Sequence, residues 1–188
     1  VSKFLLVSTD KVVDPTSCLG ASKLLAERLV VNVNNMKGDK KTIFACTRFG
    51  NVVGSRGSIL PFFLRQIKNN QNLTVTNQKM TRFFMSINEA TDSIIDSLFL
   101  MRGNEIFVPR KLKLFKIIDL AESLIKIYKK NLLKVKIIGI RPGEKLFENL
   151  ISISEFEKVK LKGNYFLIDQ NFKNSNKNKN KILKLIKD

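Results

Sequence analysis

Short apolar runs of strand length alternate with amphipathic segments of helix length along this chain, and that rhythm limits the fold more than any other feature. Ser2–Thr9 (SKFLLVST) is an apolar run closing on small polar residues, as a buried parallel strand does. Pro15, Thr16 and Ser17 open a helix in which Leu24, Leu25, Arg28, Leu29 and Val31 recur at helical spacing, ending near Gly38. Thr42–Thr47 is a second buried strand, followed by the glycine-rich loop Arg48–Gly57 and a helix over Ser58–Asn69, with Pro61 tolerated in its first turn. The second half predicts strands at Leu73–Thr76, Glu105–Val108 and Val135–Gly139, and helices at Asn88–Met101 and Leu114–Lys130, before the turn Arg141-Pro142-Gly143. Strands separated by helices of this length imply a parallel sheet with helices packed on it, hence an α/β chain.

Residues 1–70 read as one domain and 71–170 as a mixed α/β domain, with 171–188 a Lys/Asn-rich tail of low complexity that reads as frayed. The sequence begins inside its first strand, and two full strands cannot cover their own edges. An upstream half is therefore expected. No apolar run reaches the roughly 20 residues of a membrane span, so no membrane segment is expected in this chain. Two cysteines in unlike contexts point to a reducing, cytoplasmic setting, while leaving open an anchored region upstream.

Composition narrows the chemistry. There is no histidine, which excludes Ser-His-Asp and Cys-His nucleophile pairs and every His-containing metal site, and no metal is expected. The chain carries 34 Lys+Arg against 16 Asp+Glu, a formal charge of +18. Of the basic residues 26 are Lys and 8 are Arg, and 18 Asn accompany them, the pattern of an AT-rich coding bias. A nucleic-acid surface favours the planar fork of Arg, so no nucleic-acid partner is expected.

Three groups of residues are placed to do chemistry. Ser8-Thr9-Asp10-Lys11 ends the first strand, where open α/β sheets bind ligands. Asp10 and Lys11 offer an acid and a base within one turn; the alternative is a strand-ending turn whose side chains bond their own backbone. Lys23 follows Gly20, Ala21 and Ser22, small residues that would let a planar ligand lie against the helix; the alternative is a lysine snorkelling to water. Ser58 and the amides near Gly57 open a helix, a ready site for an anion.

These stretches, with Asp14-Pro15-Thr16, RFGNVVGSRGSILP (48–61), MTRFFMSINEA (80–90) and GIRPGEKLFENL (139–150), resemble the nucleotide-sugar 4,6-dehydratases of the extended short-chain dehydrogenase/reductase superfamily. The likeness covers roughly residues 2–168 and is greatest to the CapD-like polysaccharide-biosynthesis branch, which dehydrates UDP-N-acetylglucosamine. It implies the carboxyl-terminal part of a doubly wound Rossmann-type sheet followed by a substrate-binding domain. The cofactor implied is NAD or NADP, tightly bound and regenerated each turnover, and the partner a UDP-sugar, with the intact protein a homo-oligomer. Hydride would leave sugar C4 and return at C6, with water lost between C5 and C6. In the roles the resemblance assigns, Thr9 meets the 4-hydroxyl region, Lys11 removes the C5 proton, Asp10 protonates the departing 6-hydroxyl, and Lys23 binds the nicotinamide ribose. Ser8 and Phe49 would also contact the cofactor. Asn51, Ser58, Val75, Arg82, Arg141 and Glu144 would bind the substrate: Asn51 the sugar, Val75 the uracil, Ser58 and the arginines the diphosphate, and Glu144 a hydroxyl. Lysine at position 11, where C5-retaining relatives carry Glu, goes with inversion at C5.

Two departures qualify the likeness. Leu19 stands where most of the superfamily has a Tyr, four residues before Lys23, so the base for the 4-hydroxyl is unassigned. The fingerprint G-x-G-x-x-G is absent from these 188 residues, so the chain alone is expected to be inactive. The competing expectations are a 4-epimerase of the same fold, which needs no Asp-Lys pair, and a non-catalytic sugar-nucleotide-binding module.

Overall fold

The computed structural model describes residues 1–172. Its contacts divide into two compact units, one comprising 1–49, 88–111 and the segment from 149, the other comprising 50–87 and 112–148. The chain therefore passes back and forth between units, where the sequence reading has a single boundary near residue 70. The expected tail from 171 lies almost wholly outside the described residues.

The first unit is built on a five-stranded sheet. β1 (Lys3–Thr9), β2 (Ile43–Phe49), β6 (Glu105–Pro109), β9 (Val159–Lys162) and β10 (Tyr165–Asp169) lie in the order β1-β2-β6-β10-β9. β1, β2 and β6 are parallel, as the alternating pattern predicts, and Thr9 stands opposite Phe49 in the β1–β2 register. At the far side the sheet turns antiparallel, through β10 and β9. They form a hairpin about Gly163, which has φ of 56°, and a short connection permits only antiparallel pairing. α1 (Cys18–Met36) covers one face and α3 (Ile87–Leu100) supplies Leu98 and Leu100 to the other. Side chains alternate accordingly: Cys46, Ile106, Val108, Phe166 and Ile168 pack with Val31, while Ala45, Phe107, Tyr165 and Leu167 pack with Met101.

α1 starts where Ser17 caps it, its side chain accepting from the Gly20 amide at 3.2 Å. Gly20 is needed for a second reason. A Cβ there would collide with the Lys11 carbonyl oxygen, so glycine lets α1 pass against the 3-10 turn Asp10–Val12.

The second unit holds β3 (Asn51–Val52), β5 (Thr81–Met85) and β7 (Lys113–Lys116) in one small sheet, and β4 (Leu73–Val75) with β8 (Val135–Ile137) in another. α2 (Ile59–Lys68) and α4 (Ile117–Ile127) pack on them around Phe63, Ile67, Leu73, Met80, Phe84 and Leu124. The helix expected over Leu114–Lys130 starts three residues later. Residues 113–116 extend instead, because β5 offers them an antiparallel ladder from Thr81↔Lys116 to Phe84↔Lys113. Among the described residues no helix is long and apolar enough to cross a membrane.

Phe63 is fully buried at the centre of this cluster. Phe63→Ala is expected to destabilise the second unit by about 3–5 kcal/mol, read as a lowered urea midpoint.

Candidate functional site

The carboxyl end of β1 is held from below by a buried charge network. The Arg48 guanidinium, 1% exposed, meets Glu27 of α1 through Nε at 3.0 Å and Nη2 at 2.6 Å. It meets Glu155 through Nη1 at 2.8 Å and Nη2 at 2.7 Å, and Nη1 also donates to the Leu150 carbonyl at 2.9 Å. These five bonds match the five N–H donors of an arginine. Arg28 adds a second positive charge 3.2 Å from Glu155, so two arginines face two carboxylates. Burial opposes the charge on Arg48, but its bonds to Glu155 and Glu27 outweigh that and raise its pKa. Burial alone would raise the Glu155 carboxyl; the bonds and charge of Arg48 outweigh it and hold it at about 2.

Ser8 belongs to this network. Its hydroxyl donates to Glu27 Oε2 at 2.8 Å, and the residue is buried, so its side chain faces α1 rather than an open crevice. Thr9 caps the 3-10 turn and donates its hydroxyl to Asp10 Oδ1 at 2.8 Å. Lys11 Nζ donates to the same oxygen at 2.9 Å. Asp10 is fully buried, and its other oxygen, Oδ2, has no hydrogen-bond partner. Lys23 reaches the same strand end, where Nζ donates to the Val7 carbonyl at 3.2 Å. Ser8, Thr9, Asp10, Lys11 and Lys23 are thus gathered at one end of β1, with Phe49 buried on the neighbouring strand opposite Thr9. Leu19 is largely exposed on α1.

The remaining candidates belong to the second unit. Arg82 is buried and donates to the carbonyls of Thr81 at 2.7 Å, Lys145 at 2.8 Å and Leu146 at 3.2 Å. Its guanidinium therefore braces the segment bearing Glu144, whose Oε1 lies 4.0 Å away, instead of standing open as an anion fork. Glu144 in turn accepts from the Arg141 amide at 3.2 Å, which closes the Arg141–Glu144 turn. Ser58 precedes α2 without capping it, and its buried Oγ has no partner. Asn51 is half-buried in β3, opposite Phe84. Val75 packs inside the apolar cluster, 1% exposed, rather than lining an opening.

The sequence reading missed Glu27, Arg48 and Glu155. Glu27 follows Lys23 by one helical turn and Arg48 closes β2, but residues 48 and 155 are 107 positions apart, and charged residues are rarely fully buried.

With this geometry in hand, comparison with known proteins decides the family. The model of the family described as "Polysaccharide biosynthesis protein" matches residues 1–170. The chain belongs to this family. This polysaccharide-biosynthesis family chain is CapD-like and of the extended short-chain dehydrogenase/reductase superfamily. It is 45% identical over 194 residues to an uncharacterized membrane protein of Methanocaldococcus jannaschii, covering 100% of this chain and 58% of that one. It is 41% identical over 174 residues to the UDP-N-acetylglucosamine 4,6-dehydratase (inverting) of Campylobacter jejuni, covering 92% of this chain and 50% of the relative. Its fold superposes on the X-ray structure of Pen from Bacillus thuringiensis with a TM-score of 0.86 at 38% identity, over 93% of this chain and 54% of that one. The family chain thus spans about half the length of these relatives, and its fold is that of a Rossmann-type carboxyl-terminal portion.

The network makes stability depend on acid. Glu155 titrates lower in the fold than its ordinary value near 4.5, so the stability it contributes is complete above that value and is lost as pH falls toward about 2. Urea midpoints should drop across that window, and Glu155→Gln should flatten the drop. Arg48→Met, which strands two buried carboxylates, should cost about 3–5 kcal/mol at pH 7 by urea unfolding.

Proposed function

We propose that this chain carries the acid, the base and the substrate-holding residues of a nucleotide-sugar 4,6-dehydratase. It would act on a UDP-N-acetylhexosamine, with inversion at C5, in the synthesis of surface polysaccharide. The observation that carries the reading is the Asp10–Lys11 pair: a fully buried carboxylate, one oxygen bonded by Thr9 and Lys11 and the other without a partner, at the carboxyl end of a parallel strand. A strand-ending turn alone does not call for burying a carboxylate with an orphaned oxygen, since leaving a polar atom unsatisfied costs free energy.

The pair suits dehydration because it can change state without solvent. Moving the shared proton across 2.9 Å turns Asp10 carboxylate and Lys11 ammonium into carboxylic acid and amine, the acid and base the reaction needs. Lys11 then takes the proton from sugar C5, next to the carbonyl that oxidation at C4 creates. Asp10 delivers its proton to the 6-hydroxyl as that group leaves as water. Lys11, now an ammonium, returns a proton to C5 after the flat intermediate has turned its other face toward it, and delivery to that face inverts the centre. Thr9, bonded to Asp10, orients the carboxyl.

A nicotinamide dinucleotide (NAD or NADP), when bound, supplies the reversible hydride acceptor. The residues present fit its nicotinamide end: Lys23 is held at the strand end by one hydrogen bond to Val7, and an ammonium carries three donors, enough to serve ribose hydroxyls as well. Ser8 is engaged by Glu27, so it supports Thr9 from behind. In the second unit Arg141 and Glu144 on their turn and the unpartnered Ser58 hydroxyl would receive the sugar diphosphate, with Asn51 in β3 meeting the sugar and Arg82 bracing the turn.

Incubation of the intact protein with UDP-N-acetylglucosamine and catalytic NAD(P) in D2O, followed by proton NMR, tests this. The expected product has a new C6 methyl signal, deuterium at C5 and inverted C5 coupling. Lys11→Ala should lower turnover by roughly 10²–10⁴-fold while UDP-sugar binding persists. Unchanged C6 protons with an inverted C4 would make the protein an epimerase, and binding without turnover would make it a binding module.

A further inference from the structure

We propose that the turn between α4 and β8 is a docking surface for an anionic lipid bilayer. From residue 123 to 143 the chain holds Lys126, Lys129, Lys130, Lys134, Lys136 and Arg141 and no acidic residue. Among the described residues none of those five lysines lies within ion-pair distance of a carboxylate; Lys130 donates to the neutral Asn70 Oδ1 at 2.8 Å. Interleaved with them, Ile127, Tyr128 and Leu132 are 71%, 50% and 94% exposed. A run of lysines alone would be an ordinary solvated face. Three large apolar side chains pointing outward among them are not explained by solvation.

The turn is ordered, which makes the exposure a built feature. Lys130 N donates to Ile125 O at 3.1 Å and Lys129 N to Lys126 O at 3.1 Å, the two crossed bonds of a Schellman cap. Lys129 takes the left-handed position, φ 51°, where glycine is usual. Beyond it, Leu133 N bonds Lys130 O at 2.9 Å, and the Leu133 side chain packs into the unit's apolar cluster. Between these anchors the turn holds Leu132 out toward solvent. An open cavity of about 420 Å³ adjoins it, with Ile118, Ile125 and Val135 on its walls and Lys126, Lys134 and Glu122 among its polar residues.

The chemistry favours a bilayer over other polyanions. The basic groups are lysines, compact hydrated charges that sit well among lipid headgroups, and the apolar residues between them are mainly aliphatic, suited to the acyl boundary. Nucleic acid would call for arginine forks and stacking rings. The proposal is independent of the reaction proposed above.

The chain has no tryptophan, so Leu132→Trp introduces a single reporter at a site where the side chain is already exposed. On mixing the full chain with phosphatidylglycerol-containing vesicles, the tryptophan emission should shift to the blue and be quenched by brominated acyl chains; neutral phosphatidylcholine vesicles should do neither. Adding Lys129→Glu and Lys130→Glu should weaken the vesicle affinity by roughly 30-fold or more. The same reversal at Lys40 and Lys41, exposed lysines of the other unit, should leave it within about threefold, which separates this surface from net charge. Vesicle binding without a blue shift, or equal loss from both reversals, would overturn the proposal. A blue shift with duplex DNA and none with vesicles would overturn it in favour of nucleic acid.

Discussion

Five N–H groups of one buried arginine hold the first unit together. Arg48 joins the end of β2 to Glu27 in the middle of α1 and to Glu155 and Leu150, more than a hundred residues downstream. Such a cluster stabilises only if every member is satisfied, because the desolvation of each charge has to be offset in place. Here the donors are all used, Arg28 supplies the compensating charge, and the Ser152 amide donates to Glu155 at 2.9 Å. Ser8 is the network's contact with β1. Through it, the geometry of an ion cluster is passed to the residue preceding the Asp10–Lys11 turn.

Much of this was legible in the sequence, and what was not has a common cause. The strands at both ends of α1 and the helices α2 and α3 declare themselves through apolar spacing, which is local. The acidic-basic turn was equally plain, since Thr9, Asp10 and Lys11 are adjacent. β3, β5, β7, β9 and β10 were missed because they are short and, the local β9–β10 hairpin apart, owe their extended state to partners far away in the chain. Lys113–Lys116 is the clearest case: a sequence that continues smoothly into α4 is drawn straight by the ladder it forms with β5. What surrounds Arg82 and Val75 was hidden for the same reason. Residue type suggested ligand contacts, whereas burial assigned one to backbone carbonyls and the other to the core.

The candidate residues divide between the two units. The first holds the buried Asp10–Lys11 pair at the end of a parallel strand. The second holds the turn Arg141–Glu144 and Ser58 at the entrance of α2, and it has an apolar core of its own around Phe63.

Adjacent residues of β1 face opposite ways, and this makes the strand's length matter. Ser8 points to the charge network and Thr9 to the Asp10–Lys11 turn. Inserting or deleting one residue within the strand would exchange the two, taking a hydroxyl from Glu27 and swinging Asp10 out of its buried seat together. Side chains along β1 have room to vary during evolution, provided they suit their face. The number of residues in the strand does not, so length changes in this protein should be confined to its loops.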